Sequence, residues 1–223
     1  MQVQEKNNKG FSVLEVIVVL AIIGVISAVA YPNISHWNKA RQINNSAIKI
    51  KTLFTNINSQ VQRGNYGFVQ VYINSIVGTR VDVFSKGMKT STLAQKINSD
   101  SNFKEISQRC NTDDNDYWDD DGNIHRKPEV IKLELDKIAT SFTGVGAVCF
   151  SKDGRWYSAS KKLINGSVPI TAIYICEKAA GSCTNVEGGI NDKVEYLYAV
   201  SWSRFGNIKL EKYNSDRDEW INQ

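Results

Sequence analysis

Glu15 is the first residue whose chemistry needs an explanation. It is the single charge in FSVLEVIVVLAIIGVISAVA, residues 11–30. A carboxylate at mid-bilayer costs ~2.5–3.5 kcal/mol on insertion scales, so an acid in such a run is a candidate for function. Its chemistry would be ion pairing with a cation brought into the apolar segment. The plainer alternative is a side chain that snorkels to the interface. The four cysteines come next: Cys110, Cys149, Cys176 and Cys183, all far from the apolar run. An even count on one side of such a run fits disulfides made in an oxidising compartment. The other reading is four reduced, partly buried thiols. Of the three pairings open to four cysteines, one has short closure. Cys176 and Cys183 flank EKAAGS, a polar turn able to bring two Cα atoms within the ~4.4–6.8 Å a disulfide requires. That leaves Cys110 with Cys149, which would tie the segment before it to a strand. A free, buried Cys149 thiol is the alternative there, since residues 145–150 are apolar.

Residues 111–123, NTDDNDYWDDDGN, hold hard oxygen donors beside a glycine. Asp119 and Asp121 are the candidate ligands, and calcium is the cation such donors suit. The EF-hand spacing is not met, and the plainer reading is a solvated acidic loop held open by repulsion. His36 and His125 are the only histidines. No H-E-x-x-H, G-x-S-x-G, phosphate-loop or dinucleotide pattern is present, and no C-x-x-C. The chain is therefore read as a non-enzyme, with no cofactor expected beyond the weak calcium hypothesis.

These groups need elements to place them. With 42% hydrophobic and 22% charged residues, the 223-residue chain has the composition of a folded protein. Much of the apolar content lies in residues 11–30, which at ~1.5 Å per residue would span a hydrocarbon core as a helix. Lys6 and Lys9 precede the run, so the N-terminus is expected to stay cytoplasmic. After Pro32, residues Ile34, Trp37, Ala40, Ile43, Ala47, Ile50, Phe54, Ile57 and Val61 recur at three- and four-residue steps. That spacing predicts one apolar face on a helix running from Phe11 to near Arg63 and closed by Gly64 and Gly67. Strands are expected at 68–73, 81–84, 131–136, 146–150, 155–157, 169–176, 195–202 and 208–213, and a short helix at 92–97. Residues 86–128 read as an irregular insertion. The net charge of +4 gives no argument for nucleic acid by itself.

Three readings compete for the N-terminal segment. A plain transmembrane anchor explains the length but not Glu15. A secretory signal peptide would use Ala28-Val29-Ala30 as its cleavage site, yet the apolar stretch is long and contains an acid. The third reading accounts for more. KGFSVLEVIVVLAIIGVISAVAYPN resembles the class III signal of type IV prepilins and type II secretion pseudopilins at Gly10, Phe11, Glu15, Gly24 and Pro32. The resemblance implies cleavage between Gly10 and Phe11 on the cytoplasmic side and methylation of the new Phe11 amine. It further implies that Glu15 pairs with the Phe11 amine of a neighbouring subunit. Gly24 and Pro32 would bracket a stretch that is helical in the membrane and loosens in the filament, a simple kink at Pro32 being the alternative.

The closing phrases VCFSKDGRWYS and YAVSWSRFGNIKLEKY, behind a long helix and in a strand-rich body, resemble the FimT/GspH family. That family comprises minor pilins and the H-type minor pseudopilin. The expected fold is α+β: a long N-terminal helix packed on a mainly antiparallel β head, the pilin fold. The expected division is 1–10 leader peptide, 11–31 transmembrane and filament-core helix, 32–64 amphipathic helix and 65–223 head. The partners implied are other pilin or pseudopilin subunits, the prepilin peptidase/methylase, inner-membrane lipid and the inner-membrane assembly platform. The location implied is the bacterial inner membrane, single-pass with the head outside the cytoplasm, and then an extracytoplasmic filament. Two other functions stay open: a DNA-binding minor pilin for DNA uptake, and a single-pass membrane protein that never polymerises. Lysines scattered over a mildly basic head are ordinary solvated surface, so DNA is not the expected partner.

Overall fold

A computed structural model of the chain describes residues 11–75, 80–99, 110, 129–142, 144–152, 156–159, 172–177, 183, 194–203 and 206–223. The first element is α1, Val13–Gln62. Its start is capped by Ser12, whose hydroxyl accepts the Glu15 N–H at 3.2 Å. Its end is a Schellman motif: Asn65 N–H donates to Gln60 O at 3.1 Å and Gly64 N–H to Val61 O at 3.0 Å. Gly64 takes φ +80, the left-handed conformation this stop needs and glycine supplies without strain. Two compact units divide between Arg41 and Gln42, inside α1.

In the second unit α1 buries Ile43, Ala47, Ile50, Phe54, Ile57 and Val61. Steps of three and four place these on one face, which is why the sequence pattern and the core agree here. Among the described residues the rest of the unit is strands, with one further helix. In chain order these are β1 Phe68–Ser75, β2 Arg80–Met88, α2 Thr90–Ser99, β3 Glu129–Asp136, β4 Ile138–Thr140 and β5 Val145–Ser151. Then come β6 Trp156–Ala159, β7 Ala172–Glu177, β8 Leu197–Trp202, β9 Ile208–Asn214 and β10 Glu219–Asn222. They form two five-stranded sheets, ordered β3-β2-β1-β5-β6 and β10-β9-β8-β7-β4. Every paired strand is antiparallel. The architecture is α+β, a helix followed by a mainly antiparallel β region, consistent with the pilin fold.

One core joins helix and sheets. The first sheet contributes Val69, Val71, Ile73, Val81, Val83, Val148 and Phe150, and the second Ile173, Ile175, Tyr198, Val200, Trp202 and Leu210. Phe54 of α1 meets one ring from each sheet edge-on, Phe150 at 5.4 Å and Trp202 at 5.5 Å. The outer face of the first sheet has a smaller cluster of Phe68, Met88, Cys110, Ala147 and Cys149, covered by Leu93 and Ile97 of α2. β1 is therefore buried on both faces near its start, which explains its unbroken run of buried residues where alternation would otherwise be expected. Farther along that outer face Asp82 is buried, and Arg80 and Lys132 balance its charge. Arg80 Nε lies 2.8 Å from Asp82 Oδ1, outside linear hydrogen-bond geometry, and Lys132 Nζ lies 3.7 Å from Oδ2. Arg80 Nη2 donates to Asp82 Oδ2 at 3.2 Å, and this hydrogen bond raises the Arg80 pKa.

Regular structure exceeds the sequence expectation in several places. β2, expected at 81–84, runs Arg80–Met88, and α2, expected at 92–97, runs Thr90–Ser99. β4 and β10 were not expected at all. β4 has only three residues, too few for a period to register. β10 lies at the chain end, and only its pairing with β9 defines it.

Candidate functional site

The candidate site is the start of α1, within the first unit. Phe11 is non-helical and 83% exposed, and Ser12 caps the helix that begins at Val13. Glu15 occupies the third helical position, exposed, with its amide held by the Ser12 hydroxyl. Ser12 O also accepts the Val16 N–H at 3.2 Å. Ser12-Val13-Leu14-Glu15 has the S-x-x-E spacing of a capping box, a signal present in the sequence that the reading above passed over. Two consequences follow. The helix starts after Ser12, so Phe11 stays outside it. The Glu15 carboxylate also sits in the first turn, where the helix dipole favours a negative charge by ~0.3–1 kcal/mol. The same acid deeper in the run would lack that compensation.

Beyond Glu15, every large hydrophobic residue from Val16 to Ile26 that α1 presents is exposed, Val25 at 67% and Leu20 at 62% among them. The pattern is apolar all round, so no single face could satisfy it by packing on one sheet. A surface of this kind needs lipid or other helices around it. At Gly24 a built Cβ would meet nothing within 4 Å, so nothing within the chain demands glycine there. α1 passes through Gly24 and Pro32 without interruption, and the side chain of Pro32 lies outside the described residues. Gly10 and the rest of residues 1–10 also lie outside them, as do Asp119 and Asp121 of the acidic segment. Among the described residues no group of three or more His, Cys, Asp or Glu could hold a metal.

Among the described residues, no helix is long and apolar enough to cross a membrane.

The cysteines form two disulfides. Cys110 and Cys149 are bonded with Cα atoms 5.9 Å apart, on the outer face of the first sheet beneath α2. Cys176 and Cys183 are bonded at 5.5 Å, joining β7 to Val194 and Leu197 in a cluster that Tyr174, Tyr213 and Trp220 flank. Both lie in the second unit.

The family model described as the prokaryotic N-terminal methylation motif matches residues 6–31. No characterised protein and no solved structure matches the chain. The matched residues contain Gly10 and Phe11, and also Ser12 and Glu15, at which the helix is capped and the acid is placed. Together the motif and the α+β architecture support a type IV pilin-like protein, whose family is structural and whose members are processed by prepilin peptidase.

Proposed function

We propose that this chain is a minor pilin or pseudopilin of the FimT/GspH kind, a structural subunit that assembles through α1 into a type IV pilus or a type II secretion pseudopilus. In this reading the peptidase cuts between Gly10 and Phe11, and the Phe11 amine is methylated. The precursor waits in the inner membrane with residues 11–31 as its single span and its disulfide-bonded head outside the cytoplasm. The observation that carries the proposal is the coincidence of two features in one segment. Residues 13–28 of α1 are exposed and apolar on all sides, and their one acid is held in the first turn next to a non-helical Phe11.

The chemistry of assembly follows from that placement. Cleavage creates a cationic amine at Phe11. A neighbouring Glu15 carboxylate offers it an ion pair, which offsets the cost of burying either charge among apolar helices. Such a pair also sets the stagger between subunits, as a single buried polar group can fix register in helical assemblies. Ser12 contributes by fixing the turn from which Glu15 projects. The test is Glu15→Ala. The variant loses a charge from an apolar segment, so it should insert and be processed at Gly10 as before. It should then be absent from sheared or secreted filaments. Wild-type incorporation of Glu15→Ala would contradict the proposal.

A further inference from the structure

In the first unit, Arg41 stacks on Trp37, its guanidinium carbon 5.3 Å from the ring centroid. Trp37 is 59% exposed, Ile34 55% and Tyr31 76%. This amphipathic cluster lies just beyond the apolar run. From Val16 to Val81 the chain has no acidic residue, while Lys39, Arg41, Lys49 and Lys51 follow the run closely.

We infer that Trp37 and Arg41 form an outer-leaflet anchor that binds phospholipid phosphate and fixes the depth of the precursor in the bilayer. The inference rests on the membrane-span reading above. The geometry is a matter of length. With Glu15 at the cytoplasmic interface, Ala30 is 15 residues on, ~22 Å along the helix. That is short of the ~30 Å hydrocarbon core, so with Glu15 rather than Phe11 at the interface the span runs on past the 11–31 proposed above. Trp37 is 22 residues from Glu15, ~33 Å along the axis. A tilt of about 20°, ordinary for membrane helices, brings this to ~31 Å, the far edge of the core. The exposed Tyr31 and Ile34 then complete the span that Ala30 leaves unfinished. Trp37 falls at the level where indole rings concentrate, with one face apolar and its N–H wet.

Arg41 lies one turn farther out. Side chains on a helix lean toward its N-terminus, so the guanidinium falls back over the Trp37 ring. That places a planar, permanently charged donor at headgroup height, where it can grip a phosphate with two parallel hydrogen bonds. No acid lies within 25 residues of Arg41 on either side along the chain, so the helix segment itself supplies no carboxylate to pair with it, and anionic lipid is the complementary partner. Glu15 and the Trp37–Arg41 pair thus clamp the helix at both interfaces. Assembly must release the outer clamp when the subunit leaves the bilayer.

The experiment uses the full chain in vesicles of zwitterionic lipid, with and without phosphatidylglycerol. Subtracting the emission of Trp37→Phe from wild type isolates Trp37 from the other tryptophans. Trp37 is expected to emit blue-shifted and to be quenched more strongly by lipids brominated near the headgroup than by those brominated near the chain ends. Phosphatidylglycerol should strengthen this contrast, and Arg41→Gln should abolish the strengthening. A Trp37 signal that is unquenched in vesicles that carry the protein overturns the anchor, as does one quenched most at mid-bilayer. A signal quenched only after filament assembly would assign the cluster to subunit packing and also overturn it. Failure of the chain to float with vesicles would overturn the span reading itself, a separate result.

Discussion

Phe54→Ala is expected to destabilise the head by about 3–5 kcal/mol, the range for truncating a fully buried aromatic residue. Phe54 is 0% exposed and bridges the two sheets through α1. Its ring lies 5.4 Å from Phe150 at 67° and 5.5 Å from Trp202 at 73°, both edge-to-face. Such contacts contribute about 0.5–1.5 kcal/mol each beyond area burial. Phe54→Leu keeps most of the volume and loses both ring pairs, so it should cost about 1–3 kcal/mol on the same scale. The assay is equilibrium denaturation of the oxidised full chain in detergent, followed by total tryptophan fluorescence and by far-ultraviolet circular dichroism. Because α1 is common to both sheets, the two probes should move together in each variant. A Phe54→Leu/Trp202→Leu cycle should give a coupling of about 0.5–1.5 kcal/mol. Variants within about 0.5 kcal/mol of wild type, as a surface substitution would be, would refute the bridging role. So would sheets that melt separately.

Other perturbations test other parts. The two disulfides close loops of 39 and 7 residues. In the chain-entropy model, opening the longer should cost about 4 kcal/mol and the shorter about 2.4 kcal/mol, read as midpoint shifts in Cys110→Ser/Cys149→Ser and Cys176→Ser/Cys183→Ser variants. Gly206 takes φ +82, and an added Cβ would come within 2.8 Å of the Asn58 amide that donates to Gly206 O. Gly206→Ala should therefore lose about 1–2 kcal/mol in backbone strain, and more if that hydrogen bond breaks, whereas Gly144→Ala, with φ +94 and open space, should lose only the strain. The hydrogen bond to Glu195 is the largest cause that pushes the Tyr196 pKa up to about 12, and the hydrogen bond to Asp218 raises that of Tyr213. A raised phenol favours the native state fully below pH 10 and loses that contribution as pH rises through about 12. Alkaline unfolding should fall in that window, and Glu195→Gln should bring the Tyr196 tyrosinate absorbance to lower pH.

The second half of α1 was legible because burial on one face forces a 3.6-residue period, and Ile43 to Val61 obey it. The same period continues back through Ile34 and Trp37, yet both are exposed, so periodicity marked a face without saying what covers it. β3 was legible from the alternation of Ile131 to Asp136, since one of its faces is wet. The separation into two sheets was not legible. It depends on the distant pairs β1 with β5 and β4 with β7, which no local pattern encodes. Glu15 stood out because an acid in an apolar run is costly, whereas its Ser12 cap is an ordinary polar residue whose meaning lies only in its spacing.

The central claim is that the chain is cut before its apolar helix and keeps that helix. The most direct test is the mass of the N-terminal peptide of the chain extracted from membranes of cells with an active prepilin peptidase. The account predicts a peptide beginning at Phe11 with a methylated amine, and an unprocessed precursor for Gly10→Val. A mature chain beginning at Tyr31, or one retaining residues 1–10 beside an active peptidase, would contradict it.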